Sequence, residues 1–142
     1  MENEQNRFMD EAARAAAREQ VDASIETAMH PSIVLDVLGD HVGAKRGITA
    51  RQLVFHLLDC YSPAGERYLR RVVEALRNAG QPICATPADG YYLASNADEL
   101  DSTCLFLYHR AMTSLRQVAA MKRVQLPDFR GQLQLPIGEK AA

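Results

Sequence analysis

The sequence predicts a mainly α fold carrying one small β-hairpin, and three features of the chain support that expectation. Apolar residues recur at helical spacing through most of its length. Two four-residue apolar runs, 82–85 and 91–94, flank a turn that contains Pro87 and Gly90. Residues suited to capping fall at the junctions between the periodic segments. With 142 residues, 47% of them hydrophobic, the chain can fill one modest core with accessory helices but not two ordinary domains.

The elements follow in order. Residues 1–30 hold an Ala-rich amphipathic helix, with Phe8, Ala12, Ala16, Val21, Ile25 and Met29 near helical spacing. His30-Pro31 breaks it, because the residue before a proline avoids helical geometry. Ser32 is placed to cap a short helix, 33–38, that ends at Gly39. Ile48 suits a very short strand, and Thr49 an N-cap for a helix over 50–58 with Leu53, Val54, Leu57 and Leu58 inside. After the turn 59–62, Ser62 caps a helix whose first residue is Pro63, where a missing N–H costs nothing. That helix runs to Asn78, buries Leu69, Val72, Val73 and Leu76, and stops at Gly80. The hairpin 82–94 comes next. Ser95 or Asn96 then caps a long helix over 97–123, acidic at its start and basic at its end, as the helix dipole favours. Residues 124–142, with Pro127, Gly131, Pro136 and Gly138, read as an extended, flexible tail.

Within 31–95 the order helix, helix, turn, helix, hairpin is the plan of a winged helix-turn-helix, in which one helix braces a second that presents its outer face to the DNA major groove. Charge agrees with that plan. Residues 45–80 hold seven cations against three carboxylates, net +4, on a chain of net charge -2, so the remainder carries -6. A protein of this kind meets a polyanion with one face. On the helix 63–78 the positions outside the apolar set include Glu66, Arg67, Arg70 and Arg71. The three arginines lie three and four residues apart, which groups them on the helix surface, and arginine binds phosphate or a guanine edge in bidentate fashion. Lys45, Arg46, Arg51 and the Ser62 cap are candidates for flanking phosphates, contacts that set register without reading sequence. The plainer alternative is a solvated basic face.

The stretch LRRVVEALRNAGQPICATPADGYYLAS, 69–95, resembles the N-terminal winged helix of the bacterial biotin-operon repressor and its relatives. There a recognition helix ends in Leu-Arg, a short polar pair and Gly before a hairpin closing on Gly-Tyr-x-Leu. The matching residues here are Leu76, Arg77, Gly80, Gly90, Tyr91 or Tyr92, and Leu93. The resemblance covers about a quarter of the chain closely and about half loosely. It implies the fold and a DNA-binding surface on 64–71, without the ligase domain and without biotin chemistry. The wing departs from the pattern, since 86–90 has no Lys or Arg and carries Asp89. A looser resemblance is to small phage regulatory and replication proteins.

Other groupings carry no chemistry. His56 and Cys60 are four apart but lack a second ligand pair for zinc, and Cys60, Cys84 and Cys104 show no CxxC spacing, so they read as small buried hydrophobes. Cys104 and His109 are five apart and diverge on a helix, Asp98, Glu99 and Asp101 are explained by a first helical turn, and GAKRG lacks the phosphate-loop spacing. No enzyme activity, metal or cofactor is expected. Of Tyr91 and Tyr92, adjacent strand residues facing opposite ways, one belongs in the core. The absence of any long apolar run argues against a membrane span or secretory signal, which leaves the cytoplasm as the expected location.

A winged helix needs only about 70 residues, so the flanking helices call for another role. Leu100, Leu107, Leu115 and Val118 give the long helix a seam suited to homodimerisation, which would place two recognition helices on successive turns of duplex DNA. The expected function is a bacterial or phage transcriptional regulator. The alternative is a winged-helix protein-interaction module, such as a phage replication accessory or host-protein modulator, docking through the N-terminal helix or the tail.

Overall fold

The computed structural model describes residues 2–133 and 135. Among these residues, six α-helices and one antiparallel hairpin occur in the order α1 (Glu2–Ala28), α2 (Pro31–Gly39), α3 (Ala50–Leu58), α4 (Pro63–Asn78), β1 (Ile83–Thr86), β2 (Gly90–Leu93), α5 (Ala97–Lys122) and α6 (Phe129–Gln132). The fold is thus mainly α with a small hairpin.

The core is built by the middle of the chain. Val34 and Leu38 of α2, Leu53 and Val54 of α3, Leu69, Val72, Val73 and Leu76 of α4, and Ile83 of β1 form one apolar cluster, which Ile25 and Met29 close at the C-terminal end of α1. Leu38, Leu53, Leu69 and Ile83 are fully buried, each contributing about 1.5–3 kcal/mol by leaving water. α3 and α4 approach closely at Gly65, where a Cβ would lie 2.7 Å from Leu58 Cδ1 and 3.2 Å from Val54 Cγ1. The turn between them is short because Asp59 takes a left-handed conformation, φ 56°, as the C-cap of α3.

Caps explain where the helices begin. Thr49 forms a capping box with Gln52, and Ser62 Oγ accepts from Gly65 N at 3.1 Å ahead of Pro63. Asn96, rather than Ser95, caps α5 through Glu99 N at 2.9 Å. α2 departs from expectation. Pro31 occupies its first turn, so His30 becomes the cap and its Nδ1 accepts from Ser32 N at 3.3 Å.

β1 and β2 pair in the register Ile83↔Leu93, Cys84↔Tyr92, Ala85↔Tyr91 and Thr86↔Gly90. Ile48 forms the expected strand-like segment as a single antiparallel bridge to Tyr91, with hydrogen bonds of 2.9 and 2.7 Å. Gly90 permits this. Its φ is +77°, and a Cβ there would strike the Ile48 carbonyl. Tyr92 is buried and Tyr91 half-buried. Burial raises the pKa of Tyr92 above its ordinary value.

Two expectations are corrected at the periphery. Cys84 is buried and Cys104 half-buried, but Cys60 is exposed, because the left-handed Asp59 turns the chain out of α3 before it. The tail is also not wholly extended. Asp128 Oδ1 accepts from Gly131 N at 3.3 Å, capping the short helix α6, and Phe129, Leu133 and Leu135 line an apolar groove together with Leu107, Ala111 and Leu115 of α5. Residues 134 and 136–142 of the tail lie outside the described residues.

Candidate nucleic-acid interface

α4 is sharply two-sided. Leu69, Val72, Val73 and Leu76 are buried, whereas Arg67, Arg70, Arg71 and Glu74 are exposed or edge the core. The inner residues therefore hold the helix at a fixed rotation while the outer ones face solvent. The three arginines do not share one environment. Arg67 and Arg71 border a cleft of about 190 Å³ beside the end of α1, opposite Asp22 and Glu26. Neither makes an ion pair or hydrogen bond among the described residues. Arg70 lies on the other flank, toward the hairpin and α5.

Glu66, another of the expected groove residues, is half-buried and engaged within the chain. Its Oε1 accepts from Arg70 Nη2 at 3.0 Å and its Oε2 accepts from the Tyr61 hydroxyl at 3.0 Å. The guanidinium of Arg51 stacks 4.6 Å from the centre of the Tyr61 ring. Arg51, Tyr61, Glu66 and Arg70 thus form a chain of contacts from the start of α3, across the turn, to the middle of α4. The hydrogen bond to Glu66 is the first cause that pushes the Tyr61 pKa above its ordinary value, with burial adding to it. The Arg70 side chain remains 63% exposed, and a surface pair at i,i+4 holds it by only about 0.3–0.5 kcal/mol.

The remaining candidates lie further off. Ser62 is engaged as the α4 cap. Lys45 and Arg46 are exposed in a single 3-10 turn, Ala44–Arg46, which packs on β2 rather than on α4. His41 Nδ1 lies 2.7 Å from the Arg46 carbonyl, and His41 shares a shallow groove with Arg51 and Tyr61, so this turn adjoins the Arg51 end of the contact chain. Comparison with known proteins adds nothing to this geometry. The chain matches no family model, no curated protein and no solved structure.

The hairpin tip presents no cation. Thr86 and Asp89 close it on each other, through hydrogen bonds of 2.8 and 2.9 Å. A carboxylate of α5 stabilises the far side of the unit. Glu99 accepts from Ala44 N at 3.1 Å and from Ser95 N and Oγ at 2.8 and 3.0 Å. The backbone bonds from Ser95 and Ala44, in that order, lower its pKa.

Among the described residues no group of three His, Cys, Asp or Glu side chains gathers to hold a metal, and no helix is long and apolar enough to cross a membrane. The proposed dimer seam is divided. Leu100, Leu107 and Val118 are 36%, 37% and 49% exposed, while Leu115 is half-buried and, with Leu107, faces the chain's own tail. Sequence patterns did not point to Tyr61, nor to the approach of Asp22 and Glu26 to Arg67 and Arg71. The first had a local signal, an aromatic residue five positions ahead of a Glu66/Arg70 pair. The second depends on how α1 crosses α4, which local spacing does not encode.

Proposed function

We propose that the chain binds duplex DNA by inserting the outer face of α4 into the major groove, and that it serves as a transcriptional regulator of bacterial or phage type. One observation carries the proposal: Arg67 and Arg71 stand exposed and without an ion pair or hydrogen bond among the described residues, on a helix whose rotation is set by four buried side chains. Arginines held this way lose little conformational freedom to the scaffold and keep every donor for phosphate or base edges. α3 acts as the brace, and the Tyr61–Glu66 link holds Arg70 at the groove edge for a phosphate contact. Lys45, Arg46 and Arg51 extend the positive field toward flanking phosphates. The resemblance to the biotin-operon repressor family points the same way. In this proposal the protein works in the cytoplasm as a homodimer, needs no cofactor and catalyses no reaction.

A second function is favoured by a separate observation. Phe8 and Met9 of α1 are 80% and 72% exposed, as suits a helix that docks on another protein. Fluorescence anisotropy with random genomic duplexes, titrated with salt, separates the two. DNA binding requires affinity that falls steeply as salt rises, and absence of binding at low salt would refute it in favour of the interaction module.

A further inference from the structure

A second recess lies on the opposite flank of α4 from α1, walled by α4, the hairpin and α5. Its volume is about 530 Å³, within the range of small-molecule sites. Three arginines line it, Arg70 and Arg77 from α4 and Arg110 from α5; Arg70 is paired with Glu66, so Arg77 and Arg110 face one lining carboxylate, Glu74, and leave the border net positive. Its apolar lining comes from Val73, Leu107, Tyr91 and Phe106, and Phe106 is 54% exposed.

We infer that this recess binds a small organic anion with a flat apolar body, an aryl carboxylate in chemical class, and that occupancy weakens the grip of α4 on DNA. The net positive border selects an anion. The aromatic and aliphatic walls select one with a hydrophobic body, because a bare phosphate gains nothing from them. The site is partly preorganised: Arg77 Nε donates to the Ile83 carbonyl at 2.8 Å, which fixes that guanidinium at the wall. Arg110 makes no ion pair or hydrogen bond among the described residues and stays available for a forked pair with a carboxylate. Arg70 belongs both to this border and to the DNA-facing side of α4. A carboxylate that draws Arg70 inward therefore competes with a phosphate for the same side chain, and by linkage DNA would loosen the ligand to the same degree. The binding site stands on its own geometry, and only the effect on DNA rests on the proposed function.

The probe is 2-naphthoate, followed by its fluorescence anisotropy on the full chain, which has no tryptophan to interfere. Saturable binding is expected, at least tenfold weaker in Arg110→Ala and in Phe106→Ala, with circular dichroism verifying that each variant is folded. Arg110→Gln, which keeps the length of the side chain, should lose affinity similarly. Neither neutral 2-naphthamide nor inorganic phosphate should compete. No binding at millimolar naphthoate, equal affinity in the Arg110 variants, or competition by the amide or by phosphate overturns the site. In a separate titration, naphthoate should lower duplex affinity of the wild type but not of Arg110→Ala. Duplex binding without naphthoate tests α4 by itself, so loss of DNA binding with naphthoate binding intact defeats the DNA proposal and leaves the recess established.

Discussion

Replacing Arg67 and Arg71 together by Ala gives the sharpest test of the α4 surface. Both side chains are exposed and make no ion pair or hydrogen bond among the described residues, so their removal should leave the unfolding free energy within about 0.5 kcal/mol of the wild type. The effect on DNA is set by counterion release. Each phosphate neutralised contributes about -0.9 to the slope of log affinity against log salt, so loss of two contacts should flatten that slope by about 1.8. Between 50 and 200 mM salt, the affinity gap between wild type and variant should then narrow by about one decade. Contacts to base edges would behave differently, costing about 1–3 kcal/mol each with little change in slope and with relaxed sequence preference. Anisotropy titrations at four salt concentrations distinguish these cases. A variant that binds duplex DNA with the wild-type affinity and slope would refute the assignment of this face.

Three further outcomes follow from the packing. Gly90→Ala should destabilise the fold by about 2–5 kcal/mol, adding the cost of a side chain at φ +77° to a clash with the Ile48 carbonyl, and a urea midpoint equal to the wild type would contradict this. The lowered pKa of Glu99 means that its carboxylate contributes stability above its ordinary value of 4.5 and loses that contribution as pH falls through the lower folded value. Glu99→Gln should accordingly be less stable than the wild type at neutral pH, with the difference shrinking in acid, and a pH-independent difference in thermal melts would count against the Glu99 contacts. Thiol labelling of the native protein should show one fast site, Cys60, abolished in Cys60→Ser. Cys84 is buried, and burial pushes its thiol pKa up, so rapid modification of Cys84 would refute its placement.

Much of the fold was legible because its local signals agree with one another. The Thr49 cap, the Ser62-Pro63 start and Gly90 at the end of the turn each dictate backbone geometry within a few residues, and each lies where sequence spacing puts it. The strand-like character of Ile48 was legible, whereas its pairing with Tyr91, distant in sequence, was not. What escaped was tertiary. Spacing groups Arg67, Arg70 and Arg71 on one helix surface, but adjacent helical residues are about 100° apart, and α1 and α5 approach α4 from opposite flanks and divide the set. His30 was hidden as a cap because imidazole seldom serves as one, and only the position of Pro31 puts its Nδ1 within reach. The groove that Phe129 and Leu133 of the tail share with α5 joins residues distant in sequence, which no local pattern announces.

The first helix has a practical consequence for measuring mass. α1 is 27 residues long, about 40 Å at 1.5 Å per residue, and side chains 5–24 are all exposed. A rod attached to a small body drags more solvent than a sphere of equal weight. On a sizing column one copy should therefore elute ahead of spherical standards of 15.7 kDa and imitate a heavier species. Light scattering, which reads weight without regard to drag, gives the number of copies directly, and clipping α1 with a protease should move the column peak far more than the lost mass alone would.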